Sequence, residues 1–194
     1  MKRIIFITFA YLLWSVVGSE IDCDQAENVN EDHIHYCCKH PDGQNEIVEN
    51  CAKETGFKLK NALEKNILDI NADRAMSASC FSDCILNKLK FLKDHKLNML
   101  AVKQHFETEY SNDPEYGREM ISAFDHCHGK TQENTSNFLH KHMHHHCNTS
   151  SSVILGCVVK QFFHNCPTNR WSITQECQDA WEFSKHCSDV FASL

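Results

Sequence analysis

Twelve cysteines, all lying between positions 23 and 187, constrain this chain more than any other feature it has. They stand behind an N-terminal leader. Lys2 and Arg3 precede an uncharged apolar run from Ile4 to Val17, and Gly18, Ser19 and Glu20 follow it. A basic start, a short apolar stretch and small residues make an export signal, cleaved after Gly18 or Ser19. The run is about 14 residues, short of the roughly 20 that cross a bilayer core, and no later segment is long and apolar enough to span one. Membrane insertion is therefore not expected. An even set of thiols in an exported chain reads as six disulfides, because the compartments beyond the leader are oxidising. Each bridge adds about 2–4 kcal/mol by restricting the unfolded chain, so the domain can tolerate a hollow interior.

The expected organisation is a signal peptide over 1–18 and a single domain over 19–194, a length that suits one buried core. The whole chain carries 19 basic and 26 acidic residues, and loss of Lys2 and Arg3 brings the formal charge to about -9. That balance argues against a nucleic-acid partner, which requires a basic face. Residues 19–45 form a polar N-terminal extension anchored by Cys23, Cys37 and Cys38. A helix is expected from Glu46, with Ile47, Val48 and Cys51 on one face and Gly56 ending it. A second covers Lys60 to Ile70. The strongest pattern runs from Asp73 to Asp94, where Phe81, Ile85, Leu89 and Leu92 form a stripe and Cys80 and Cys84 share a face. Asn98 caps a helix through Val102, Phe106 and Tyr110, and Pro114 opens another through Met120, Ile121 and Phe124 to Cys127.

Residues 128–152 change to Asn, Ser, Thr, Lys and His, which marks an exposed insertion tied down by Cys147. The following stretch, Val153 to Phe163, is apolar around most of a helical wheel and should be nearly enclosed. A C-terminal extension, 167–194, contains a last helix opened by Ser172 with Gln175 at capping-box spacing, turning Ile173, Cys177, Trp181 and Phe183 inward. The fold class is all-α: a compact, disulfide-stapled bundle of six to eight helices.

The cysteine spacing carries a resemblance. Three residues separate Cys80 from Cys84, eight separate Cys157 from Cys166, Pro167 follows directly, and Cys177 comes after. In this combination with Cys51, Cys127 and Cys147, the chain resembles the insect odorant-binding proteins of the Plus-C subgroup. The segment Cys80-Phe81-Ser82-Asp83-Cys84-Ile85-Leu86-Asn87-Lys88-Leu89 is also similar to that family's. The resemblance implies helices around an internal apolar cavity that carries odorants, pheromones or other lipophilic molecules through an extracellular fluid such as sensillar lymph. No cofactor is implied, and a membrane chemoreceptor would be a further partner. By correspondence it pairs Cys51 with Cys84, Cys80 with Cys157, and Cys127 with Cys166. Cys23, Cys37, Cys38, Cys147, Cys177 and Cys187 remain for further bridges of open connectivity. Whether the protein is a monomer or a homodimer is left open.

The expected ligand-binding residues are Phe81, Ile85, Leu89, Phe91, Leu92, Leu100, Phe106, Met120, Phe124, Val158, Val159 and Phe162, the apolar positions of the converging helices. Transfer of each CH2 of a ligand into such an interior yields about 0.8 kcal/mol. Tyr110, Tyr116 or a histidine would supply an orienting hydrogen bond. Sequons at Asn134 and Asn148 mark glycosylation sites of the exported chain.

Rival chemistries find less support. His140, His142, His144, His145 and His146 could bind a metal weakly, but a structural site draws ligands from separated elements, so no metal centre is expected. The 14 histidines could also sense pH. Catalysis is not expected: there is no G-x-S-x-G or HExxH motif, Pro41 separates His40 from Asp42 in the way a phospholipase-like helix would not tolerate, and a bridged Cys127 has no thiolate. The alternative function is a secreted interaction, defence or scavenger protein of saliva, venom or haemolymph.

Overall fold

The computed structural model describes residues 36–41, 46–57, 72–128 and 147–187. Six helices stand among them: α1 (Glu46–Thr55), α2 (Ala72–Lys88), α3 (Met99–Glu109), α4 (Pro114–His128), α5 (Thr149–His164) and α6 (Gln175–His186). A two-stranded hairpin, β1 (Leu92–Lys93) and β2 (Lys96–Leu97), lies between α2 and α3. The domain is a compact, disulfide-stapled all-α fold. The leader, Cys23, the helix expected over 60–70, Asn134 and the histidine run lie outside the described residues.

Local chemistry sets most helix ends. Gly56 adopts φ +70°, a left-handed conformation that ends α1 at little cost without a Cβ. Asn98 caps α3 by accepting from the Ala101 amide, and Pro114 stands at the first position of α4, where its missing N–H is harmless. Asn148 caps α5 through the Ser150 amide. Its first turn therefore includes residues expected in the exposed insertion. Ser151 and Ser152 are buried there, satisfied by Asp83 at 2.9 Å and Ser79 at 3.2 Å. For α6 the cap is Thr174, accepting from the Cys177 amide, and not Ser172. Ile173 consequently precedes the helix and is 95% exposed instead of packed.

The long helix expected to reach Asp94 stops at Lys88. Lys90 takes a positive φ, which reverses the chain so that Phe91 enters the core completely buried, and Asp94 and His95, both at positive φ, close the hairpin. Burial of one aromatic ring thus overrides a helical stripe that would have continued through Leu92.

α5 is the central element, packed against α2 on one side and α4 on another; α3 packs on α4 and α1 on α2. The approach of α3 to α4 depends on Gly117, where an added Cβ would lie 3.1 Å from the Phe106 carbonyl oxygen. At the other side of the domain, residues 37–39 run beside 170–172, with bonds from Lys39 N to Arg170 O (3.1 Å) and from Ser172 N to Cys37 O (2.8 Å).

Five disulfides join described residues: Cys37–Cys177, Cys38–Cys166, Cys51–Cys84, Cys80–Cys147 and Cys127–Cys157, and Cys187 is disulfide-bonded as well. Two expected pairings are corrected. Cys80 joins Cys147 rather than Cys157, and Cys127 joins Cys157 rather than Cys166. A bridge needs Cα atoms within about 7 Å, and geometry decides each case. Cys147, just before the α5 cap, lies 5.0 Å from Cys80 of α2. Cys157 in mid-α5 lies 5.9 Å from Cys127 of α4, while Cys166, beyond the helix end, reaches Cys38 at 5.8 Å. The observed order is first to third, second to fifth and fourth to sixth once Cys147 and Cys157 are counted as fifth and sixth.

Candidate ligand-binding interior

The helices turn two apolar clusters inward. The larger collects Leu86 of α2, Phe91, Val102 and Phe106 of α3, Tyr116 and Phe124 of α4, and Ile154, Val158, Phe162 and Phe163 of α5. The smaller contains Cys51, Ala52, Phe81 and Ile85, with Ile47, Val48, Phe57 and Leu155 at its margin. Leu89 packs against both. The twelve expected ligand-binding residues are thus divided: Phe81 and Ile85 belong to the smaller cluster, and Phe91, Phe106, Phe124, Val158 and Phe162 to the larger. Leu92 and Met120 are partly buried beside the larger cluster, and Val159 is partly buried. Leu100 is 77% exposed and takes no part. It lies two residues before the inward-facing Val102, which places it on the opposite side of α3.

The larger cluster is a continuous array of rings. Phe91 meets Phe124 edge to face at 5.4 Å, Phe106 lies 5.9 Å from Phe124 and stacks on Tyr110 at 5.5 Å, and Tyr116 meets Phe162 edge to face at 5.4 Å. Such offset and edge contacts are the favourable ones for aromatic quadrupoles. Polar tips lie at the margin of the array. His40 Nδ1 is 3.2 Å from the Tyr116 hydroxyl, and its ring stacks on Phe162 at 4.9 Å. Arg170 pairs with Asp113, donates to Lys39 O at 3.1 Å and places its guanidinium 5.2 Å from the centre of the Tyr116 ring.

Burial pushes the Tyr116 hydroxyl well above the usual phenol range, with Tyr110 adding to the shift, Arg170 opposing it and Asp113 adding again. Tyr116 therefore remains a neutral donor and acceptor. Burial raises Tyr110 in the same direction, with help from Glu109. His105, in contact with Phe91 at 5.2 Å and Phe106 at 5.1 Å, is held below its ordinary value by burial, with Glu109 opposing. Its neutral ring suits an apolar neighbourhood. Tyr110 and Tyr116 are legible from sequence as candidate hydrogen-bonding groups; His40 and Arg170 are not, because the bridges that bring their segments together are invisible to local pattern.

The arrangement offers packing surface and hydrogen bonds. Every described cysteine is disulfide-bonded. The cluster of metal-capable groups among the described residues, Cys51, Glu54 and Cys84, contains a bridge and so presents no thiolate. No described helix is long and apolar enough to cross a membrane. Asn148 uses its side chain twice, accepting from Ser150 N at 3.0 Å and donating to His95 O at 3.4 Å, so a glycan there would share the amide with the helix cap.

Bridges holding amphipathic helices around an aromatic interior define a small disulfide-stabilised all-α domain. A family model described as AgamOBP47-like matches residues 43–183, and the chain belongs to that family of insect odorant-binding proteins. It is 22% identical over 158 residues to "General odorant-binding protein 67" of Anopheles gambiae, covering 81% of this chain and 73% of that protein. No solved structure matches.

Proposed function

We propose that the protein is a secreted carrier that holds a small lipophilic molecule, an odorant, pheromone or similar compound, non-covalently in its helical interior and does no catalysis. The observation that carries this reading is the convergence of Phe91, Phe106, Phe124 and Phe162 on one interior edged by Tyr116 and His105, in a chain that belongs to a carrier family. Apolar rings provide the binding free energy, and the few polar groups at the margin orient a ligand's hydroxyl or carbonyl. The leader and the bridges support delivery in an extracellular fluid.

A homologous series of straight-chain alcohols and aldehydes tests the proposal by displacement of a fluorescent apolar probe. Each added CH2 should tighten binding by up to about fourfold, at about 0.8 kcal/mol per group, until the interior is filled. Ten-carbon members should bind in the micromolar range after association costs are subtracted. An affinity independent of chain length, or a panel of volatiles and lipids that displaces nothing, would turn the assignment toward a protein-binding or scavenging role.

A further inference from the structure

A cleft of about 260 Å³ opens between the end of α5, the following loop and α6, bordering the aromatic interior at Phe163. Phe163, His164, Cys166, Trp171, Gln178 and Trp181 line it. Phe163 is buried and forms a floor on which Trp171 leans at 5.4 Å, while Trp181 meets His164 at 6.5 Å. The two indoles are partly exposed. The frame is rigid. Cys166 is bonded to Cys38, Cys177 immediately before Gln178 is bonded to Cys37, and Trp171 pairs with Cys38 through the backbone.

The histidine is locked too. Ser184 Oγ donates to Trp181 O at 2.9 Å, so its single hydrogen is committed, and His164 Nε2 at 2.7 Å must be the donor to it. His164 therefore serves as a fixed flat wall. Positive charge gathers beside these rings. Lys185, one turn along α6 from Trp181, holds its Nζ 4.7 Å from the centre of that ring. Lys160, one turn before His164, shares its face of α5. Burial and the charges of both lysines hold His164 below its ordinary value. Glu182 accepts from the Gln178 amide at 3.4 Å and lies 3.8 Å from His186 Nδ1.

We propose that this cleft is a second binding site, bordering the interior at Phe163, for a small planar aromatic carboxylate whose ring lies on Trp171 and Trp181 and whose anionic group is met by Lys185. The volume is below the usual range of about 300–1,000 Å³ for drug-sized pockets and suits a molecule of roughly ten heavy atoms. Indole faces offer stacking surface to an aromatic ring, and an ammonium lying over an indole is poised to exchange that contact for a carboxylate. The proposal stands independently of the interior carrier reading.

Phenylacetate, with 2-phenylethanol as its neutral counterpart, tests it in the full secreted protein. Outside the leader, Trp171 and Trp181 are the only tryptophans of the sequence, so tryptophan emission reports on this cleft. Phenylacetate should change it saturably, with a dissociation constant on the order of 0.1–1 mM, and 2-phenylethanol should bind several-fold more weakly. Lys185→Gln should weaken phenylacetate roughly threefold, while displacement of an apolar probe from the interior stays as in the parent. Far-ultraviolet circular dichroism checks that the variant is folded. The proposal is overturned by equal affinity for acid and alcohol, by a folded Lys185→Gln variant that binds as the parent does, by the absence of saturation, or by phenylacetate displacing the interior probe at the same concentration.

Discussion

Replacement of Cys37 and Cys177 together by alanine probes how the bridges act on the unfolded chain. The two residues are 140 positions apart, and a loop of that length, closed in isolation, corresponds to about 5 kcal/mol of chain entropy. The neighbouring bridge changes the reference. With Cys38 still bonded to Cys166, only one residue on the N-terminal side and eleven on the other remain to be closed. A loop of about a dozen residues corresponds to about 3 kcal/mol. After Cys37–Cys177 is gone, Cys38–Cys166 closes a path through Cys51–Cys84 and Cys80–Cys147 of roughly 40 residues, or about 4 kcal/mol. Either bridge removed alone should therefore lower unfolding free energy by about 3 kcal/mol, and both together by about 7, about 1 kcal/mol more than the sum of the singles. Urea unfolding of the parent, the two single-bridge variants and the double-bridge variant forms the cycle that measures this. Strict additivity, or a single-bridge loss near 5 kcal/mol, would refute the idea that the adjacent cysteines act as one rivet.

Phe124→Ala, opening a hole beside Phe91 and Phe106, should lower stability by about 3–5 kcal/mol and weaken apolar-probe binding, as read by urea midpoint and probe titration. His95→Gly should raise the unfolding free energy by about 0.5–1 kcal/mol, because the second residue of the hairpin loop already sits at φ 61°; calorimetry that finds a lower Tm would contradict it. His105 and His164 are both held below the ordinary histidine range chiefly by burial, so the unfolded chain binds protons more readily and stability falls as pH drops through that range toward their folded values. His164→Gln should flatten that slope between pH 7 and pH 5 in a series of thermal melts. Arg170→Lys, which gives up the planar guanidinium over Tyr116 and the bond to Lys39 O, should lower stability by about 1–2 kcal/mol and leave the aromatic array intact by near-ultraviolet circular dichroism.

The helical character of the chain is plain in its sequence wherever a local signal coincides with an amphipathic face. Asn98, Pro114 and Gly56 act where they stand because capping involves only the next three or four amides. The stop at Lys88 is different. Nothing around it breaks a helix; the reversal at Lys90 follows from the place the larger cluster keeps for Phe91, which is information held by α3 and α4. Disulfide partners fail for a related reason. The eight-residue spacing from Cys157 to Cys166 looks like the family's fifth and sixth cysteines, but Asn148 starts α5 early enough to aim Cys157 at α4 and leave Cys147 against α2. Leu100 shows the same limit on a smaller scale: apolar and in a helix, it faces outward because Val102 and Phe106 fix which side of α3 is inside.

The rivet formed by the adjacent cysteines also governs how the protein survives cleavage. Among the bridges that join described residues, four span a single cut anywhere between positions 129 and 146: Cys37–Cys177, Cys38–Cys166, Cys80–Cys147 and Cys127–Cys157. The two fragments would stay joined in a protease-rich fluid, migrating as one species until a reductant separates them. A molecule bound in the interior would then outlast the integrity of the chain that carries it.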